Sequence, residues 1–111
     1  MFNYSYQYQM WHQDTEQSRC KDIKQETNDL RLHNLLPASF EDKILEIGCG
    51  MGRMLLALKE VGFLNLKGVD IDVDQIGVAK KEGLDVTLSD GLDFLKSTVD
   101  VYDAIYCMDV L

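Results

Sequence analysis

The chain has 111 residues, enough for one domain and near the lower limit for a parallel sheet covered on two faces. Hydrophobic residues make up 46% and charged ones 27%, and the longest unbroken apolar stretch, Met54 to Leu58, is far too short to cross a bilayer, so no membrane span is expected. Nineteen acidic against eleven basic residues leave a net charge of -8, which repels a nucleic-acid backbone and suits a small-molecule or cationic partner.

The N-terminal MFNYSYQYQMWHQ has no basic region followed by an apolar block, so nothing marks it for export and a cytoplasmic location is expected. Residues 1–12 carry Trp11, His12 and several Tyr and Gln without a clear period, and read as a mobile aromatic lead-in. Asp14 with Gln17 resembles a capping box, and Cys20, Ile23, Thr27 and Leu30 recur at helical spacing. The spacing predicts a helix over roughly 14–35 in an N-terminal segment, 13–37, that Pro37 closes. His33 falls in that helix and reads as a surface residue. Cys20, Cys49 and Cys107 are odd in number and lack C-x-x-C spacing, which argues against disulfides and a metal site and for small buried hydrophobes.

From residue 38 to 111 the pattern alternates strand and helix. Ile44 to Ile47 is a short apolar run ending in glycines, and Met54, Leu55, Leu58 and Val61 share the face of a helix that Gly62 stops. Leu66 to Ile71 forms a second strand. Asp72, with Gln75 three residues on, caps a helix carrying Val73, Ile76 and Ala79 and ending at Gly83. Leu84 to Leu88 is a third strand, Gly91 to Ser97 a short helix, and Val101 to Cys107 a fourth strand. Connections this short force parallel strands joined by right-handed crossovers, hence an α/β fold with a doubly wound, mostly parallel sheet.

In such a sheet ligands sit beyond the carboxyl ends of the strands, where strand order reverses. Gly48, Gly50 and Gly52 follow the first strand there, and loops of this kind also serve as plain tight turns. Asp70 ends the second strand 22 residues after Gly48, the place where a carboxylate accepts from ribose hydroxyls; a turn aspartate is its structural alternative. Glu46 interrupts an apolar run, where an uncompensated carboxylate costs several kcal/mol, so a cationic ligand is its expected partner. Asp103 reads as a turn residue.

The run Glu46-Ile-Gly48-Cys-Gly50-Met-Gly52, with Val69-Asp70-Ile71, Ser89-Asp90-Gly91 and the stretch from Tyr102 to Leu111, resembles the class I S-adenosylmethionine-dependent methyltransferases, a Rossmann-like family. The resemblance starts at about residue 43. It implies S-adenosyl-L-methionine as cofactor and methyl transfer as function, and the absence of a basic surface leans toward a small-molecule acceptor. By the same likeness Gly48, Gly50 and the intervening Cys49 backbone would cradle the methionine part, with Glu46 near its ammonium group. Asp70 would take the ribose hydroxyls, Ile71 would pack on adenine, and Asp90, followed by Gly91, would accept from the adenine amino group. Cys107 would border the methyl group, a buried strand-end thiol being the alternative, and no catalytic base is identified. Trp11, Tyr4, Tyr6 and Tyr8 would close over the site.

Members of that family have seven strands, so the chain is expected to be an incomplete, N-terminal portion with an apolar sheet edge at 101–107 that invites self-association. A truncated cofactor-binding or protein-interaction module is the non-enzymatic alternative. A nicotinamide-dependent oxidoreductase is the third reading, disfavoured because Arg53 stands where G-x-G-x-x-G wants its last glycine. A phosphate-binding NTPase lacks its Gly-Lys-Ser/Thr.

Overall fold

The computed structural model describes residues 16–107, leaving out the side chains of 16–22 and 26. The aromatic lead-in, the Asp14 capping box and the last four residues therefore lie outside the described residues. Helices and strands alternate along the chain: α1 (Glu16–Leu32), β1 (Lys43–Ile47), α2 (Arg53–Val61), β2 (Asn65–Asp70), α3 (Val73–Lys81), β3 (Val86–Leu88), α4 (Gly91–Ser97) and β4 (Ala104–Tyr106). Among the described residues no helix is long and apolar enough to cross a membrane.

All strand pairs are parallel, in the order β3-β2-β1-β4. The chain therefore steps outward from β1 through β2 to β3 and returns to the far side of β1 as β4. This reversal puts the crevice beyond β1, as the alternating pattern predicts for a doubly wound sheet. In register, Glu46 lies between Gly68 of β2 and Tyr106 of β4.

Side chains alternate across the sheet, and the two faces differ. One face carries Ile44, Leu66, Ala104 and Tyr106, which pack with Leu30 of α1, Met54 and Leu58 of α2 and Phe63. The predicted stripe of α1 is seen in Ile23, Thr27 and Leu30; the Thr27 hydroxyl donates to the Ile23 carbonyl and approaches that of Ala57. The Tyr106 hydroxyl donates to the carbonyl of Leu35, tying β4 to the connection after α1. Burial pushes the Tyr106 phenol upward and keeps it the neutral donor this bond needs. Ile44, Leu45, Leu55 and Leu58 are fully enclosed, each removal from water worth about 1.5–3 kcal/mol. On the other face α4 opens against Ile47, close enough that a Cβ at Gly91 would sit 2.5 Å from its Cγ2. No residue of α4 is buried, and Leu92, Val101 and Ile105 remain exposed near the β4 edge.

Several expectations change. The third strand starts at Val86 rather than Leu84, because the Leu84 N–H turns back to the carbonyl of Ala79 and its side chain drops beneath α3 instead of joining the ladder. Val73 is exposed, whereas Gln75 and Val78 are buried with Ile76 and Ala79, because α3 packs on two neighbours and not one. Asp103 is more than a turn residue: its carboxylate accepts from the Lys43 N–H at 2.8 Å, and its own N–H donates to the Lys43 carbonyl, so it clamps the starts of β4 and β1 together. Regular pairing of β4 begins only at Ala104, which shortens that strand from the predicted 101–107.

Candidate functional site

The loop leaving β1 is built by backbone geometry. Gly48, Gly50 and Gly52 all have positive φ, and at two of them the space for a side chain is also missing. At Gly50 (φ 57°) a Cβ would lie 2.6 Å from Oε1 of Gln75; at Gly52 (φ 89°) it would collide with Leu84. The loop's donors point into the protein: the N–H groups of Gly48 and Cys49 both reach the Val69 carbonyl, at 2.7 and 3.0 Å, and that of Gly52 reaches the Cys49 carbonyl. Gly50 differs. Its N–H donates to Oδ2 of Asp70 at 2.9 Å.

Asp70 is thus the hinge of the corner. It is 4% exposed, and its other oxygen accepts from the Asp72 N–H at 2.8 Å, so one carboxylate holds the glycine loop and the entry to α3. A carboxylate offers about four acceptor positions, which leaves two beyond these bonds. Ile71, next in sequence, is 67% exposed. Asp72 caps α3, its Oδ1 accepting from the N–H groups of Asp74 and Gln75.

Glu46 is buried at 3% exposure, one strand away from Asp70. Both carboxylates act on the Cys49 thiol, and with burial as the leading cause they drive its ionisation far upward. The Cys49 side chain packs with Leu55, Ile76 and Ala79, its sulfur so near β2 that a Cβ at Gly68 would be 2.7 Å from it. The Cys49 side chain is thus the small buried hydrophobe expected of it, while its N–H donates to Val69.

The remaining candidates stand on the rim. Asp90 is exposed and caps α4, with Oδ1 accepting from the N–H groups of Leu92 and Asp93 at 2.9 and 3.2 Å. Gly91 begins that helix beside Ile47. Cys107 follows β4 and is exposed, so the buried-thiol alternative does not hold for it. His33 is exposed beyond the end of α1, as its helical context suggests.

A family model described as "Methyltransferase domain" matches residues 10–111. The chain belongs to the methyltransferase-domain family. Its fold is shared with solved methyltransferases, among them a SAM dependent methyltransferase from Archaeoglobus fulgidus, 30% identical over 75% of this chain and 37% of that one, with a TM-score of 0.61. Magnesium protoporphyrin IX methyltransferase (ChlM) from Synechocystis PCC 6803, solved with bound SAM, is 23% identical over 82% of this chain and 44% of that one, with a TM-score of 0.57. The plantazolicin methyltransferase BamL, in complex with a triazolic desmethylPZN analog and SAH, is 25% identical over 92% of this chain and 38% of that one, with a TM-score of 0.56. The chain spans less than half the length of each of these structures. The comparison with curated proteins found no match.

Within this methyltransferase domain one residue escapes the sequence reading. The sequence assigns Gln75 only to the α3 cap, yet it is completely buried and lies against Gly50. The signal available in sequence is the capping pair itself, which gives no reason to bury the amide.

Proposed function

We propose that this chain supplies the cofactor-binding part of an S-adenosyl-L-methionine-dependent methyltransferase acting on a small-molecule acceptor. The observation that carries the reading is the buried Asp70 carboxylate, fixed by two backbone N–H groups at the tip of β2 beside exposed Ile71. The donor set fits that cofactor chemically. Asp70 retains acceptor positions for a diol, Ile71 offers an apolar plane for a base, and Glu46 contributes negative charge for an ammonium or sulfonium group.

When bound, the cofactor supplies a methyl group already made electrophilic by its sulfonium, so the protein's work is chiefly binding and alignment. Asp70 would hold the ribose, with its geometry set in advance by Gly50 and Asp72. Ile71 would pack on the adenine. Asp90 would accept from the adenine amino group through the oxygen that does not cap α4, with Gly91 following it against Ile47. Gly48 and Gly50 would let the backbone turn tightly beside the methionine part through their positive φ, not by directing N–H groups at it. α2 begins without a side-chain cap and with no acidic residue in its first turn, which suits a carboxylate at its N-terminus. Cys107, exposed after β4, would border the transferred methyl group.

The acidic character of the chain favours a small metabolite over a nucleic acid as acceptor. Isothermal titration calorimetry tests the reading: S-adenosylhomocysteine binds, and NADH gives no heat. Binding of NADH in its place would overturn it. Cofactor binding without turnover of any acceptor would assign the chain to the non-catalytic binding module instead.

A further inference from the structure

The capping pair of α3 is only half made. In a reciprocal capping box the N3 side chain returns to the backbone N–H of the cap residue. Here that N–H, on Asp72, is already held by Oδ1 of Asp70. The Gln75 amide turns elsewhere: Nε2 reaches Oδ2 of Asp72 at 3.4 Å, and Oε1 lies so near Gly50 that a Cβ there would be 2.6 Å away. A glutamine at the third position of a helix ordinarily faces water, but this one is 0% exposed. Burial of an amide is costly unless its contacts fix something.

We propose that Gln75 is a positioning residue for the cofactor: its buried amide sets the height of the Gly50 backbone and thereby the alignment of the Asp70 carboxylate. Four groups form a closed circuit. Asp70 binds the N–H groups of Gly50 and Asp72, Asp72 binds the Gln75 amide, and Gln75 supports Gly50 from beneath. Removing the amide lets Gly50 settle, and the carboxylate that receives the nucleoside moves with it. The inference rests on the cofactor reading above and adds a residue that touches no ligand.

Two variants test it. Gln75→Met keeps the volume and removes the amide, and Gln75→Glu keeps an amide-like donor only while the introduced carboxyl is protonated. The titratable groups of this corner are Asp70 on β2, Asp72 at the α3 cap, and Glu46 and Cys49 on β1 and its loop. The negative charge of the three carboxylates and the burial, with the Cys49 thiol neutral, hold the introduced carboxyl in its neutral form to higher pH. Dissociation constants for S-adenosylhomocysteine are measured by calorimetry on the whole chain, with thermal unfolding followed in parallel. Gln75→Met is expected to weaken binding about tenfold. For Gln75→Glu, the ratio of its dissociation constant to that of the wild type is expected near one at about pH 5 and to rise about tenfold by about pH 8 while the unfolding curves show the variant still folded, which separates lost alignment from the destabilisation that ionising a buried carboxyl also causes. Should Gln75→Met fail to fold, the pH ratio of Gln75→Glu decides alone. Wild-type binding with a flat ratio, or an unchanged constant for a folded Gln75→Met, would overturn the role of Gln75 and leave the cofactor reading standing. Absence of wild-type binding would sink both.

Discussion

Two aspartates stand at successive β–α connections in this fold, and they do different work. Asp90, after β3, is exposed, and its side-chain bonds stay within the first turn of its own helix. Asp70, at the tip of β2, is buried, and one of its bonds reaches Gly50 across twenty residues of sequence. The cap of α3 has been handed to Asp72, which frees Asp70 for tertiary contact. A strand-tip carboxylate can bond across the fold when a neighbouring residue relieves it of local capping.

The largest test of that contrast is to truncate each carboxylate. Asp70→Ala leaves the buried Gly50 N–H and the half-buried Asp72 N–H without their acceptor, a penalty of about 2–3 kcal/mol for the two. In urea titrations the midpoint should fall accordingly, and S-adenosylhomocysteine binding should weaken by about a hundredfold or more. Retention of affinity within a few-fold would contradict the assignment of Asp70 to the ribose. Asp70→Asn, which keeps the size and one acceptor oxygen, should fall between the wild type and the alanine variant.

The glycines of the two corners give the next largest difference. Gly50→Ala meets two penalties, a φ of 57° that L-residues disfavour and the Gln75 oxygen at 2.6 Å, together about 2–3 kcal/mol. Gly91→Ala also meets a neighbour, Cγ2 of Ile47, but has no positive φ, and the better helix propensity of alanine offsets the contact by about 1 kcal/mol. Comparison of the two unfolding midpoints checks this. Equal losses would show that crowding, not backbone conformation, governs both positions.

Asp90→Ala should cost only about 1 kcal/mol, the usual loss of a helix cap. Its effect on S-adenosylhomocysteine affinity should stay near tenfold, because only the oxygen not used in capping is assigned to the ligand. An effect as large as that of Asp70→Ala would erase the distinction between the corners.

Much of this architecture is readable from the chain because the signals are local. The apolar run before Gly48, the Asp72 cap and the stop at Gly62 each need only a few adjacent residues, and short connections then dictate parallel strands. The stripe of α1 is also legible, since that helix buries Thr27 and Leu30 along a single face. The α3 helix is harder. It is enclosed on two sides, so one-face periodicity places Val73 inward when it is exposed and gives no reason to bury Gln75. The site divides in the same way. Glycine spacing marks the loop and the strand-tip position marks Asp70, but the choice of Gly50 as its donor depends on how β1 and β2 align. Burial of Cys49 follows its residue type, whereas the exposure of Cys107 depends on where β4 ends and is not readable from the chain.

The smallest expected effect separates the two strand-tip thiols. Cys49 is enclosed, and burial together with Glu46 and Asp70 raises its ionisation far above the ordinary value of 9.0, whereas Cys107 is exposed. Iodoacetamide at about pH 8 should label Cys107 in the folded chain and reach Cys49 only after denaturation, as peptide mass spectrometry would show. The same shift affects stability at alkaline pH. Below about pH 9 the thiol is protonated whether the chain is folded or not, and it contributes no pH dependence. Above about pH 9 the unfolded chain releases the proton while the folded one keeps it, so stability falls with rising pH by up to about 1.4 kcal/mol per unit. Tyr106, raised by burial in the same direction from its ordinary 10.0, adds its own decline above that pH. Cys49→Ala should therefore flatten the slope between about pH 9 and 10 and leave only the Tyr106 decline above about pH 10; an unchanged slope would mean that this thiol is not held neutral in the folded chain.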